Sequence, residues 1–107
     1  MSAPPSQGPF ILVATLIAKG KSEADKLAEL VVAVAKRANS ADEPGTKTYR
    51  VSREHKDGLK IVVFEEYESA EALAAHQAAA EFQALAKAAP EITSSFDMDY
   101  FHQIYPN

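Results

Sequence analysis

The residues of this chain best suited to chemistry gather around Phe64-Glu65-Glu66-Tyr67-Glu68-Ser69 and the histidine that follows, His76. An imidazole titrates near neutrality, so His76 is a candidate general base or hydrogen-bond partner for a ligand hydroxyl. The alternative is a helix histidine satisfied by Glu66 or by a backbone carbonyl. Tyr49 and Tyr67 can position a substrate hydroxyl or flank an aromatic ring, although ordinary strand packing explains each equally well. Glu65 and Glu66 are neighbours, so on a strand they point to opposite faces and cannot serve as an acid–base pair. One of them is expected to face inward. Glu66 shares the face of Phe64, and a buried carboxylate there needs a partner, for which His76 is the obvious choice. Asn39 can polarise a ligand carbonyl or close a helix. Phe64 and Phe82, with Phe10, Phe96 and Met98, are lining for an apolar pocket or plain core. His102, beside Tyr100, lies in the pocket or at an interface, and His55 sits in a solvated turn.

Composition narrows the function classes. The chain has 107 residues, 47% of them hydrophobic, which suits one domain with a real core. Residues 1–9, with three prolines, two serines and a glycine, are expected to form a loose N-terminal tail, and residues 10–107 a single domain. A net charge of -4 repels phosphate backbones and argues against nucleic acid. No apolar run approaches the roughly 20 residues of a membrane span. There is no cysteine, and the three histidines are widely spaced, so neither a thiolate site nor a histidine metal site is expected. Phosphate-binding glycine loops and a G-x-S-x-G elbow are also missing. These features predict a cytoplasmic protein with no metal and no bound cofactor.

The elements that must position these groups follow from periodicity. Phe10 to Ala18 is a β-branched apolar run and predicts a buried strand. Ser22 is the expected N-cap of a helix whose apolar face is Leu27, Leu30, Val31, Val34 and Ala38. Asn39-Ser40 and Pro44-Gly45 stop it. Thr46 to Glu54 and Lys60 to Tyr67 form a hairpin about His55-Lys56-Asp57-Gly58. Both faces of the second of these strands are apolar, which predicts cover on both sides, the second supplied by another subunit. Ser69 caps a helix running to about Ala88, with a bend or break between Ala78 and Glu81, and Pro90 closes it. Phe96, Met98, Tyr100, His102 and Ile104 alternate along a last strand. The order strand, helix, strand, strand, helix, strand predicts an α+β, ferredoxin-like domain: a four-stranded antiparallel sheet with helices on one face.

Three stretches resemble the antibiotic biosynthesis monooxygenase domain, a branch of the dimeric α+β barrels. Glu43-Pro44-Gly45-Thr46-Lys47-Thr48-Tyr49-Arg50-Val51 is similar to the family's glutamate-proline-glycine and tyrosine at the second strand. Phe64 to Ser69 resembles its third-strand ending, and Ala72, His76 and Phe82 stand where the family often has alanine, histidine and an aromatic residue. The resemblance spans Phe10 to Ile104. It implies a homodimer paired through the sheet and a pocket between each sheet and its own helices. It also implies a small aromatic or polyketide-like ligand, because some members oxidise polycyclic phenols with O2 and without metal or flavin. Others are isomerases or act in stress responses, and a haem-degrading branch relies on a tryptophan, which this chain lacks.

Three functions fit these residues. The first is a cofactor-independent monooxygenase acting on a small aromatic or quinol-type substrate, with His76 as the catalytic base and Tyr49, Tyr67, Glu66, Asn39, Phe64 and Phe82 around the substrate. The second is a cyclase or isomerase on the same scaffold. The third is a non-enzymatic dimeric ligand-binding or stress-related domain.

Overall fold

The structure, a computed structural model, describes residues 3–106. Of the expected N-terminal tail, residues 1 and 2 lie outside the described residues, as does residue 107 of the domain. The elements are β1 (Phe10–Ala18), α1 (Lys21–Ala38), β2 (Thr46–Arg53), β3 (Lys60–Tyr67), α2 (Ala70–Ala78), α3 (Ala80–Ile92) and β4 (Thr93–Phe101). The strands form one antiparallel sheet in the order β2-β3-β1-β4. This is the ferredoxin-like arrangement expected from the element order.

Strand alternation decides what each face holds. In β1, Leu12, Ala14 and Leu16 pair with Glu65, Val63 and Ile61 of β3 and with Tyr100, Met98 and Phe96 of β4. These residues face the helices. Leu27, Val31 and Val34 of α1, Leu73 of α2 and Leu85 of α3 close on them to make the core. Each of these aliphatic side chains contributes roughly 1.5–3 kcal/mol by leaving water. The other face pairs Ile11, Val13 and Thr15 with Glu66, Phe64 and Val62. There Phe64 is 39% exposed and Phe101 48% exposed, so this face is apolar and uncovered within one chain.

Local chemistry sets the helix ends. The first turn of α1 closes on Gly20, whose carbonyl accepts from the Ala24 N–H, so the helix starts at Lys21 and Ser22 is not its cap. Ser69 caps α2 as expected, its hydroxyl accepting from the Ala72 N–H at 3.2 Å. The break falls at Ala79, which is extended (φ -68°, ψ 148°), within the window the slipped apolar phase predicted. In an unbroken helix, residues six apart point about 120° away from each other. The break lets His76 at the end of α2 and Phe82 at the start of α3 meet edge to face, ring centres 5.6 Å apart.

Two expectations about the C-terminal region are corrected. Pro90 lies inside α3 and does not end it. In the last turn a proline forfeits a single helical hydrogen bond, and buried Ala89 with half-buried Ile92 keeps the turn on the core. The last strand stops at Phe101, which pairs with Ile11. His102 would fall opposite Phe10, the first residue of β1, and Ile104 opposite Gly8, where the described residues form no strand; both side chains are exposed and outside the sheet.

Candidate active site

The site begins in the loop between α1 and β2. Gly45 passes so close to α2 that a Cβ there would stand 2.5 Å from the Ala72 Cβ, and only glycine allows this approach. Ala72 lies one turn before His76 on the same helix face, so the approach brings Glu43 to the imidazole. The Glu43 carboxylate is buried and collects three donors. Its Oε2 accepts from Arg37 Nε at 3.0 Å. Its Oε1 accepts from Thr46 Oγ1 at 2.9 Å and lies 2.7 Å from His76 Nδ1. A carboxylate held by arginine can only accept, so Nδ1 carries the imidazole proton.

His76 is 1% exposed. With Nδ1 turned to Glu43, the opposite ring edge is left for the interior. Among the described residues, its Nε2 is the one fully buried side-chain polar atom without a hydrogen-bond partner. Aromatic rings enclose it: Tyr49 at 5.2 Å, Tyr67 at 5.4 Å and Phe82 at 5.6 Å between ring centres. A buried ring nitrogen without a partner, with a carboxylate behind the ring able to stabilise imidazolium, is an arrangement that can accept a proton.

The cage opens on a chamber lined by Tyr49, Glu65, His76, Phe82, Phe96 and Met98. The chamber is tight, a cavity of about 10 Å³ with room for about one water. Phe82, Phe96 and Met98 also form the floor of a surface groove between α3 and β4 of about 330 Å³. These three side chains are therefore the wall between a polar inner end and an apolar outer bed.

Glu65 is the second titratable group of the chamber. Burial pushes its carboxyl from 4.5 up to about 7, the Tyr67 hydroxyl bonded to Oε1 at 2.5 Å pulls it back, and the charge of Glu43 pushes it up. Burial likewise drives the Tyr49 and Tyr67 hydroxyls far above their ordinary value, so both remain neutral donors. The raised carboxyl fixes the sign of a pH effect on stability. Between 4.5 and about 7 the unfolded chain has released this proton and the folded chain still holds it. Stability is therefore full below 4.5 and falls as pH rises to about 7, by on the order of 3 kcal/mol. Glu65→Gln is expected to flatten this slope in urea titrations run across that pH range. A variant slope equal to that of the natural chain would contradict the assignment.

The structure sorts the candidate residues. It brings His76, Tyr49, Tyr67 and Phe82 together. It puts Glu66 and Phe64 on the opposite face of the sheet, where Glu66 accepts from Thr48 Oγ1 at 3.1 Å. The expected Glu66–His76 pairing is thus corrected: Ile61, Val63, Glu65 and Tyr67 share the inward phase of β3, and Glu43 partners the histidine. Asn39 is exposed at the end of α1, its side-chain amide donating to the Tyr49 carbonyl at 3.0 Å, so it anchors β2 to the helix and does not face the chamber. Glu43 is the residue that strand and helix periodicity could not find, being a loop carboxylate 33 positions from its partner. Its signal was the Glu-Pro-Gly run itself. Among the described residues no three His, Asp or Glu side chains converge as a metal site, and no helix is long and apolar enough to cross a membrane.

Comparison with known proteins gives the site a family. No curated protein matches the sequence. Among solved structures, a candidate antibiotic biosynthesis monooxygenase of Caulobacter crescentus CB15 is 26% identical with a TM-score of 0.78, 92% of each chain being covered. A Pseudomonas aeruginosa protein is 19% identical with a TM-score of 0.81, over 94% of this chain and 98% of that one. A Bacteroides thetaiotaomicron protein shares the fold at 12% identity, with a TM-score of 0.83 over 95% of each chain. The family model for antibiotic biosynthesis monooxygenase matches residues 13–88. That stretch runs from β1 into α3 and holds Glu43, Tyr49, Glu65, Tyr67, His76 and Phe82, so the chain belongs to the antibiotic biosynthesis monooxygenase family.

Proposed function

We propose that the protein is a monooxygenase that acts on a small aromatic, quinol-type substrate without metal or flavin. The observation that carries this is His76 Nε2, a buried lone pair fixed by Glu43 and facing an aromatic chamber. A phenol gives electrons to O2 poorly, whereas its phenolate gives them readily. Proton transfer from the substrate hydroxyl to Nε2 therefore opens the reaction, and the Glu43 carboxylate stabilises the imidazolium that results. The phenolate passes one electron to O2, and the radical pair joins in a ring carbon–oxygen bond. The imidazolium returns its proton to the peroxide, and cleavage of the O–O bond with loss of the hydrogen on that ring carbon releases water and leaves a ring carbonyl, so the substrate supplies all the electrons and the second oxygen atom ends as water. The ring enters as the wall of Phe82, Phe96 and Met98 swings outward, since the closed chamber is too small for it; Tyr49 and Tyr67 then flank the ring, and the groove takes its apolar remainder.

The working unit is a homodimer paired through the sheet. Ile11, Val13, Val62, Phe64 and Phe101 make an apolar strip on the uncovered face. Exposed Arg50 flanks it on the β2 side and exposed Asp97 and Asp99 on the β4 side. Such a strip is the sort of surface a second copy covers.

Oxygen uptake with dihydroxynaphthalenes, above the uncatalysed rate and with chelator-treated protein, tests the activity. The expected result is turnover that needs O2 and survives chelation. A proton-shuttling isomerase or cyclase is the second function considered, favoured by the second acid–base group, Glu65, in the same chamber. Product formed at an undiminished rate under argon would replace the first function with this one.

A further inference from the structure

A buried carboxyl that the oxygenation chemistry does not use points into the same chamber as His76. Glu65 is 5% exposed and forms no ion pair among the described residues. Arg37, which reaches the site through Glu43, is paired with Glu43 and Asp42. The groups facing Glu65 are Tyr49 on β2, Tyr67 on its own strand, Tyr100 on β4, His76 on α2 and Glu43 in the loop, and none of them offers it a compensating positive charge while the imidazole is neutral. The hydroxyl of Tyr67 occupies Oε1, and no other hydrogen bond reaches the carboxyl. A carboxyl so placed carries its proton on Oε2, the oxygen left for a ligand.

We propose that Glu65, protonated and held in place by Tyr67, donates a hydrogen bond to a carbonyl oxygen of the same ligand whose hydroxyl meets His76 Nε2. The preferred substrates are then aromatic compounds that carry both a hydroxyl and a carbonyl. A donor at the carbonyl draws charge from the ring oxygen as the phenolate forms, so the two groups act on one delocalised anion. This rests on the proposal that ligands bind at His76. It goes beyond it by assigning a second polar contact and the functional group that contact selects.

Binding of a matched pair tests the assignment. para-Hydroxyacetophenone has both oxygens, conjugated through the ring and too far apart to bond each other, and para-ethylphenol has the hydroxyl alone. At a pH below neutrality the hydroxyketone is expected to bind about tenfold more tightly than the ethylphenol. That preference should fade as pH rises past neutrality and Glu65 ionises. Glu65→Gln, which keeps an N–H donor, should retain a preference that no longer changes with pH, and Glu65→Leu should abolish it. Equal binding of the two compounds by the natural protein, or a preference that survives in Glu65→Leu, would overturn the assignment to Glu65. In either case loss of ethylphenol affinity in His76→Gln would leave the His76 site standing. Ethylphenol binding indifferent to His76→Gln, or no binding of either compound, would remove the His76 site and this proposal together.

Discussion

Replacing His76 with alanine is expected to lower the turnover number for a quinol-type substrate by about 10²- to 10⁴-fold, the usual worth of a positioned general base. The expectation follows from geometry. Nε2 is buried, unpartnered and caged by Tyr49, Tyr67 and Phe82, and in assays below pH 7 no other chamber group of basic character stands ready to take its place. Glu65 is the one neighbour able to hold a proton, and at low pH it already has one. Glu43 keeps Arg37 and Thr46 in the variant, so the fold should survive, as circular dichroism and urea unfolding can verify. Imidazole added to the solution should restore part of the lost rate by filling the vacated space. Turnover unchanged from that of the natural protein would exclude His76 from the chemistry.

The largest effect on stability is expected at Glu43. Glu43→Ala strands the buried Nδ1–H of His76, removes the partner of the Thr46 hydroxyl and leaves Arg37 only Asp42, 3.8 Å away. Breaking a buried ion pair in this way costs about 3–5 kcal/mol. The Arg37 side chain is 32% exposed and can turn to water, which places the expected loss near the lower end, about 3 kcal/mol. The measurement is the urea midpoint at neutral pH, and a loss under about 1 kcal/mol would mean that Glu43 is not the anchor described. Glu43→Gln separates stability from chemistry. Its amide oxygen can accept from Arg37, but its NH2 then faces Nδ1 and must donate to it. The imidazole proton moves to Nε2, and the base loses its lone pair. A folded but nearly inactive Glu43→Gln protein is the expected result, by the same tautomer logic that governs carboxylate–histidine pairs elsewhere.

Much of the scaffold was legible because its signals are local. The β-branched run gave β1 its bounds, the hairpin glycine set β2 against β3, and the slip from Leu73 and His76 to Phe82 and Leu85 marked the break at Ala79. The errors came where local chemistry is ambiguous. Both faces of β3 carry large apolar groups, so alternation alone could not say which of Glu65 and Glu66 faces the helices. The neighbouring registers decide it, through Leu12 and Tyr49 opposite Glu65. His102 and Ile104 continue a perfect alternation, yet a strand lasts only as long as its partner, and β1 begins at Phe10. Glu43 has no periodicity to betray it. Its position depends on Gly45 against Ala72, a tertiary contact between a loop and a helix.

The protonation of one ring nitrogen decides most. In protein labelled with ¹⁵N at histidine, long-range ¹H–¹⁵N correlation spectra at neutral pH should show His76 with the proton on Nδ1 and a bare Nε2, and the Nε2 signal should move when a hydroxyaromatic ligand is added. A proton on Nε2 in the free protein, or an Nε2 signal unmoved at saturating ligand, would contradict the account.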